Sequence, residues 1–126
     1  MMEQKFHVGV KALITNDENE ILILKTNPKE AGHHHPEHWD LPGGRIKVGD
    51  SIEQTLRKEI EEELGIATIE ILEPFDTHIS NLEIPVDNEM VALLMIIYKC
   101  KLPDNNVKFN LSFEHLEYKW VSVAEA

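Results

Sequence analysis

The feature that most constrains this chain is a capped amphipathic helix between Ser51 and Gly65. Ser51 is followed by Gln54 three residues later, a pairing in which each side chain satisfies a backbone N–H at the start of a helix. Gly65 stands where a left-handed residue ends a helix. Between them, apolar residues recur every fourth position: Ile52, Leu56, Ile60 and Leu64. The sequence therefore predicts one helix, ending at Leu64, that buries a single face.

Three carboxylates overlap the edge of that apolar face. At about 100° per residue, Glu59, Glu62 and Glu63 share an arc of about 100°, and Glu63 falls inside the apolar arc. Like charges at this spacing repel, acids in the last turns oppose the helix dipole, and a buried unpaired carboxylate is desolvated. Mg²⁺, which takes carboxylate, carbonyl and water oxygens, would offset all three costs. For the helix taken alone, a solvated acidic face is the alternative interpretation.

The rest of the chain favours strands around this helix. Strand-like segments cover residues 6–15, 21–24, 67–72, 90–102 and 116–121, and a polar loop covers 27–38. The order β-β-loop-α-β-β-β predicts an α+β fold, a mixed β-sheet with helical cover. Because no linker or repeat interrupts it, we expect residues 1–126 to form a single domain.

Composition narrows the function. The 12 Lys and Arg against 23 Asp and Glu give a net charge of −11, which argues against binding duplex nucleic acid. The longest apolar run, Met90 to Tyr98, is too short to span a membrane and is expected to be core. Cys100 is the single cysteine, so no internal disulfide can form and the cytoplasm is the expected compartment. We expect Cys100 to be a small buried or half-buried side chain.

The segment around the helix carries a specific motif. From Gly44 the pattern is Gly, five residues, Asp50, seven residues, then Lys58-Glu59-Ile60-x-Glu62-Glu63-x-Gly65-Ile66. This resembles the box of the Nudix hydrolase family, Gly-x5-Glu-x7-Arg-Glu-aliphatic-x-Glu-Glu-x-Gly-aliphatic. The preceding Trp39-x-Leu41-Pro42-Gly43-Gly44 and the later Glu114-His115-x-Glu117-Tyr118-x-Trp120 also resemble stretches of that family.

The resemblance implies a Nudix-type α/β/α sandwich. It also implies an enzyme that uses Mg²⁺ or Mn²⁺ to hydrolyse a phosphoanhydride in a nucleoside diphosphate-linked substrate. Glu59, Glu62 and Glu63 match the box glutamates that bind metal, and the backbone carbonyl of Gly43 is an additional ligand by the same likeness. Gly44 lets the loop turn tightly against the helix.

The same resemblance implies a catalytic base and a set of positioning residues. Glu62 in the box and Glu114 in the later stretch are the candidate catalytic carboxylates, with His115 as a weaker alternative to Glu114. Asp50 and Lys58 replace the Glu and Arg of the box, which keeps charge but gives up reach and the planar guanidinium. With Gly65 at the end of the helix, they are expected to position the site.

Ser122 and Glu125 have the spacing of a capping box that opens the second long helix of the family, of which the sequence holds only the beginning. We therefore expect the sheet to lack part of its cover on one face, with self-association, such as a homodimer, or a partner protein to shield it. Consecutive histidines in the loop, His33, His34 and His35 with His38, favour a solvated loop over a metal site.

Other aromatic and acidic residues have ordinary interpretations. Trp39 and Trp120 are expected to pack rather than to stack on a base. Asp40 is either an edge-strand charge or a substrate contact. The position of the loop histidines just before Trp39 also leaves room for a substrate contact.

Several functions remain open at this stage. The favoured substrate is a nucleoside triphosphate or a modified nucleotide, and a dinucleoside polyphosphate or a nucleotide sugar is an alternative. A non-catalytic nucleotide-binding module would keep the fold, although it predicts loss of box carboxylates that are all present. An acidic interaction domain, with glutamates that only solvate the helix, would show no stabilisation by Mg²⁺ or Mn²⁺.

Overall fold

The helix forms as its local sequence dictates. The computed structural model describes residues 2–26, 39–104, 108–111 and 115–122, and helix α1 runs over Ile52–Leu64. The N–H of Gln54 donates to Ser51 Oγ at 3.1 Å, and the N–H of Ser51 donates to Gln54 Oε1 at 2.8 Å. Gly65 has φ 74°, and its N–H donates to the Glu61 carbonyl at 2.9 Å. The predicted helix and both of its caps are confirmed.

Replacing Ser51 by Ala is expected to lower the free energy of unfolding by about 1 kcal/mol, because the N–H of Gln54 loses its acceptor. Chemical denaturation measures the change. Ser51→Asp, which keeps an acceptor at the helix start, should stay close to wild type. Equal loss in both variants would mean that the cap does not stabilise α1.

Seven strands within the described ranges form one mixed sheet. They are β1 (Phe6–Thr15), β2 (Glu20–Thr26), β3 (Trp39–Asp40), β4 (Gly43–Arg45), β5 (Glu70–Val86), β6 (Glu89–Lys101) and β7 (His115–Ser122). β1 lies parallel to β6 and antiparallel to β2 and β4, while β2 also pairs with β3 and β7. β5 pairs antiparallel with β6 and ends the sheet order. The predicted α+β class, a mixed sheet with helical cover, is confirmed.

The core lies between α1 and one face of this sheet. Alternate residues of the two central strands are fully buried together with the apolar stripe of the helix: Val10, Ala12, Ile14, Leu22, Leu24, Leu56, Ile60 and Leu64. Cys100 belongs to the same cluster, as expected, and is 1% exposed. Burial raises the pKa of its thiol to about 11, against a smaller opposing effect of the Arg57 charge.

The sheet also departs from the sequence-based expectations. β3 and β4 were not predicted, and β5 starts at residue 70 and continues to residue 86 instead of ending near 72. Met90 was expected in the core, yet it is 61% exposed. The reason is that β1 pairs with β6 only from Phe6 opposite Ala92, so the β5–β6 ribbon extends beyond β1 before that point.

Other expectations fall partly outside the described residues. Ser122 is the last residue of β7, and the helix predicted to follow it lies in 123–126, beyond the described ranges, as do the histidines of the 27–38 loop. Trp120 is half-buried and packs against the core, as predicted. In the part of the chain that is described, no helix is long and apolar enough to cross a membrane. Self-association and the single-domain organisation stay predictions.

Candidate functional site

The segment from Pro42 to Ile46, which precedes α1 and is called the glycine segment here, is hydrogen-bonded to strand β1. Gly43 lies opposite Lys11 in the β1–β4 register. The N–H of Ala12 donates to the Pro42 carbonyl, and the N–H of Ile46 to the Val8 carbonyl, both at 2.8 Å. Backbone hydrogen bonds to β1 therefore hold the chain before and after Gly43 and Gly44. The two glycines lie against α1, the helix that carries the acidic residues.

Glu63 is the most buried acidic side chain of the helix, at 4% exposure. The N–H of Gly43 donates to its Oε1 at 2.8 Å. A hydrogen bond to a carboxylate offsets part of the desolvation that burial imposes. The helical geometry placed Glu63 within the apolar arc, and its burial is confirmed.

Glu59 lies one turn earlier and touches the neighbouring glycine. It is half-buried, and a Cβ added to Gly44 would lie 2.5 Å from Glu59 Cδ and 2.6 Å from Oε1. Only glycine allows this approach. Glu62, in contrast, is exposed. The three predicted ligands thus comprise a buried, a half-buried and an exposed carboxylate, two of them held against the glycine segment.

The arrangement is open rather than a closed metal cage. Among the described residues, no three His, Cys, Asp or Glu side chains converge closely enough to hold a metal ion by themselves. Mg²⁺ usually takes one or two protein carboxylates and completes its shell with water and substrate phosphates. Carboxylate oxygens at the edge of a glycine segment fit that requirement, and the ligand roles of Glu59, Glu62, Glu63 and the Gly43 carbonyl stay predictions.

Gly44→Ala is expected to weaken Mn²⁺ binding about tenfold while leaving the fold intact. The added methyl group would displace the end of a flexible side chain, Glu59, and not the backbone. Calorimetric titration with Mn²⁺ measures the affinity, and thermal unfolding without metal checks the fold. Unchanged affinity would show that the position of Glu59 does not matter for the metal.

Of the predicted positioning residues, Asp50 and Gly65 lie at the two ends of the helix, and Lys58 lies in its middle. The N–H of Asp50 donates to the Lys47 carbonyl at 3.1 Å in the turn before α1, and Lys58 is exposed. A Cβ on Gly65 would lie 2.9 Å from Asn110 Cβ, and the N–H of Asn110 donates to the Leu64 carbonyl at 2.8 Å. Gly65 therefore ends the helix, and because it has no side chain, Asn110 can pack against the end of the helix.

Arg57 was not singled out by sequence reasoning. Its Nη1 donates to the Ile69 carbonyl at 2.6 Å, and its Nη2 lies 3.1 Å from Glu53 Oε1. The Arg57 side chain therefore links α1 to Ile69, the residue just before β5. Nothing in the sequence around Arg57, which stands just before Lys58, predicts these contacts.

Lys11 was also missed. Its Nζ lies 3.1 Å from Asp40 Oδ2 and donates to the Leu41 carbonyl at 3.2 Å, with the side chain 19% exposed. Asp40 Oδ1 in turn accepts the N–H of Leu41 at 2.7 Å. Asp40 is thus a strand residue whose charge is paired within the protein. The sequence indicated a special role for Lys11 only by placing a charged residue between two apolar residues of the predicted first strand, Val10 and Ala12.

The second candidate base cannot be placed. Glu114 lies outside the described residues, and His115 begins β7. The assignment of a base to this later stretch stays a prediction.

Comparisons with known proteins establish the family. Residues 5–126 match the NUDIX domain, so the chain belongs to the NUDIX domain family. The nucleoside triphosphatase NudI of Escherichia coli O81 (strain ED1a) is 32% identical over 90 residues, which are 68% of this chain and 62% of that protein. The chain therefore spans about six-tenths of the length of the curated relatives it matches.

Solved structures are similar over nearly the whole chain. The MutT protein from Methanosarcina mazei Go1 has a TM-score of 0.78 at 27% identity, covering 99% of this chain and 83% of that one. The E. coli ORF135 protein has a TM-score of 0.67 at 25% identity, covering 98% and 78%. The predicted Nudix-type fold is thereby confirmed.

Proposed function

We propose that this chain is a Nudix pyrophosphohydrolase that uses Mg²⁺ or Mn²⁺ to cleave a phosphoanhydride bond of a nucleoside triphosphate or modified nucleotide. The family supports the reaction class, and the relatives that are 32% identical, which are nucleoside triphosphatases, support the substrate class.

The observation that carries the proposal is the contact between α1 and the glycine segment. Glu63 is buried there with one oxygen on the Gly43 N–H, and Glu59 lies against Gly44. A helix whose carboxylates served only solubility would point them into water. Two carboxylates held against backbone are preorganised for a cation, because little side-chain freedom remains to be lost on binding.

The donor set indicates what each residue would do. Glu59 and Glu63 would hold the cation from the helix side, and Glu62 would approach it from the exposed side. A bound divalent cation neutralises diphosphate oxygens and acidifies a water. The bonds from the Ala12 N–H to the Pro42 carbonyl and from the Ile46 N–H to the Val8 carbonyl would keep the glycine segment fixed while substrate binds.

Glu62 is suited to the proton transfer because it is exposed where a water and a substrate can reach it. The attacking water forms a new P–O bond, its proton passes to a carboxylate, and the bridging oxygen leaves with the electrons of the broken P–O bond. Glu114 remains the alternative base.

The test is product formation across a panel of nucleoside triphosphates, modified nucleotides, dinucleoside polyphosphates and nucleotide sugars, with Mg²⁺, Mn²⁺ or EDTA. Metal-dependent turnover of a triphosphate or modified nucleotide is the expected result. Turnover confined to dinucleoside polyphosphates or nucleotide sugars would replace the proposed substrate class, and turnover of none would contradict the enzyme.

A further inference from the structure

Lys11 contacts the segment where the chain passes from one strand of the sheet to another. β3 ends at Asp40 beside β2, and β4 starts at Gly43 beside β1. Leu41 and Pro42 lie between these two strands. Backbone polar groups outside a regular strand pairing need other hydrogen-bond partners. For Leu41, side chains supply them.

Three hydrogen bonds close a ring around Leu41. Its N–H donates to Asp40 Oδ1 at 2.7 Å, and its carbonyl accepts from Lys11 Nζ at 3.2 Å. Lys11 Nζ also donates to Asp40 Oδ2 at 3.1 Å. The Lys11 side chain is 19% exposed and the Asp40 side chain 41%, so water screens this ion pair only in part. The pair therefore satisfies both backbone polar groups of Leu41.

The methylene groups of Lys11 lie against Gly43. The two residues are opposite each other in the β1–β4 register, and a Cβ on Gly43 would lie 2.9 Å from Lys11 Cδ. The N–H of the same glycine donates to Glu63 Oε1 at 2.8 Å. Lys11 thus contacts Leu41 through its ammonium group and Gly43 through its methylene groups, and Gly43 in turn binds a proposed metal ligand.

We propose that Lys11 is a positioning residue of the metal site. Together with Asp40 it fixes Leu41, and thereby keeps Gly43 where its N–H can hold the Glu63 carboxylate. In this role Lys11 touches neither the cation nor the substrate and acts only through the backbone of residues 41–43. The inference rests on the proposed function, since the site that Lys11 supports is the metal centre of that hydrolase.

Lys11→Met tests the proposal, because it keeps an unbranched side chain beside Gly43 and removes the ammonium group. We expect Mn²⁺ to bind about tenfold more weakly, a usual loss when the partner of a metal-site residue is removed. Loss of a positive charge would by itself tighten cation binding, so weaker binding indicates lost positioning. Calorimetric titration of protein shown to be folded by circular dichroism measures the affinity. An affinity equal to wild type, or higher, would overturn the inference.

Lys5→Met is the matched control. It makes the same substitution at the residue just before β1, where the side chain is 77% exposed. Its Mn²⁺ affinity should stay within about twofold of wild type. A loss equal to that of Lys11→Met would show a general effect of removing a lysine from this strand and would contradict the positioning role.

Amide hydrogen exchange at Gly43 provides a readout that needs neither metal nor turnover. In metal-free Lys11→Met, the Gly43 N–H should exchange about tenfold faster than in wild type, because its hydrogen bond to Glu63 opens more often. The N–H of Thr55, bonded to the Ser51 carbonyl at 3.0 Å in the first turn of α1, should keep its rate. Equal acceleration at both amides would show a loss of overall stability and would overturn the inference.

The two proposals fail in different ways. Nucleotide turnover by wild type, together with unchanged Mn²⁺ affinity and Gly43 exchange in Lys11→Met, contradicts the role of Lys11 and leaves the hydrolase standing. Weaker Mn²⁺ binding and faster Gly43 exchange in Lys11→Met, without turnover of any nucleotide by wild type, support the role of Lys11 and contradict the hydrolase.

Discussion

Replacing Glu62 by Gln is expected to lower kcat by about two to four orders of magnitude, the usual contribution of a positioned acid or base. The amide keeps the shape of the side chain but neither takes a proton at neutral pH nor carries charge. KM should change less than kcat, because Glu59 and Glu63 would still hold the cation from the helix side. Initial rates with a nucleotide that the wild type turns over provide the measurement.

Glu61→Gln is the matched control for this experiment. Glu61 is the neighbouring residue of α1, is equally classed as exposed, and faces away from the glycine segment on the helical geometry. The substitution removes the same charge, so activity should stay within about twofold of wild type. If both variants retain full activity, Glu62 is not the base and Glu114 becomes the leading candidate.

Gly43→Ala is expected to lower the free energy of unfolding by about 3 kcal/mol or more. Gly43 has φ 148°, a value that side chains avoid, and a Cβ there would overlap the Val10 carbonyl and lie 2.8 Å from Lys11 Cα. The backbone of β1 at Val10 and Lys11 cannot move aside for this Cβ, whereas the flexible side chain of Glu59 can move aside for a Cβ at Gly44. Denaturant unfolding without metal measures the loss.

Gly49→Ala separates the two causes of that loss. Gly49 also has a positive φ, 90°, but an added Cβ would meet no atom within 4 Å. We expect a cost of only about 1 kcal/mol, from the backbone conformation alone. Equal costs at both positions would mean that the contact with β1 is not tight, and that the glycine segment is held less firmly than the distances indicate.

Local patterns predicted the helix and the burial of Glu63, because both depend on residues within one or two turns of each other. The caps at Ser51 and Gly65 mark the ends, and the helical period places the carboxylate. β3 and β4 contain two and three residues, which is too short for any period to be detected. They exist because β1 and β2 offer them backbone partners.

The length of β5 was missed for a different reason: its sequence argues against a strand that the fold nevertheless forms. Its sequence between residues 73 and 86 holds two prolines and several charges, which normally argue against a strand. Such residues are tolerated at a sheet edge, where one side of the strand needs no partner. The edge position follows from the whole topology, in which β5 pairs only with β6 at the end of the sheet order.

The parallel pairing of β1 with β6 has a consequence for the order in which parts of the fold form. Phe6 pairs with Ala92 and Thr15 with Lys101, so the partners of each pair are 86 residues apart in the chain. Contacts so distant in sequence slow folding, because a long loop must close before they form. α1 lies inside that loop, so we expect the capped helix to form before the β1–β6 pairing that completes the middle of the sheet.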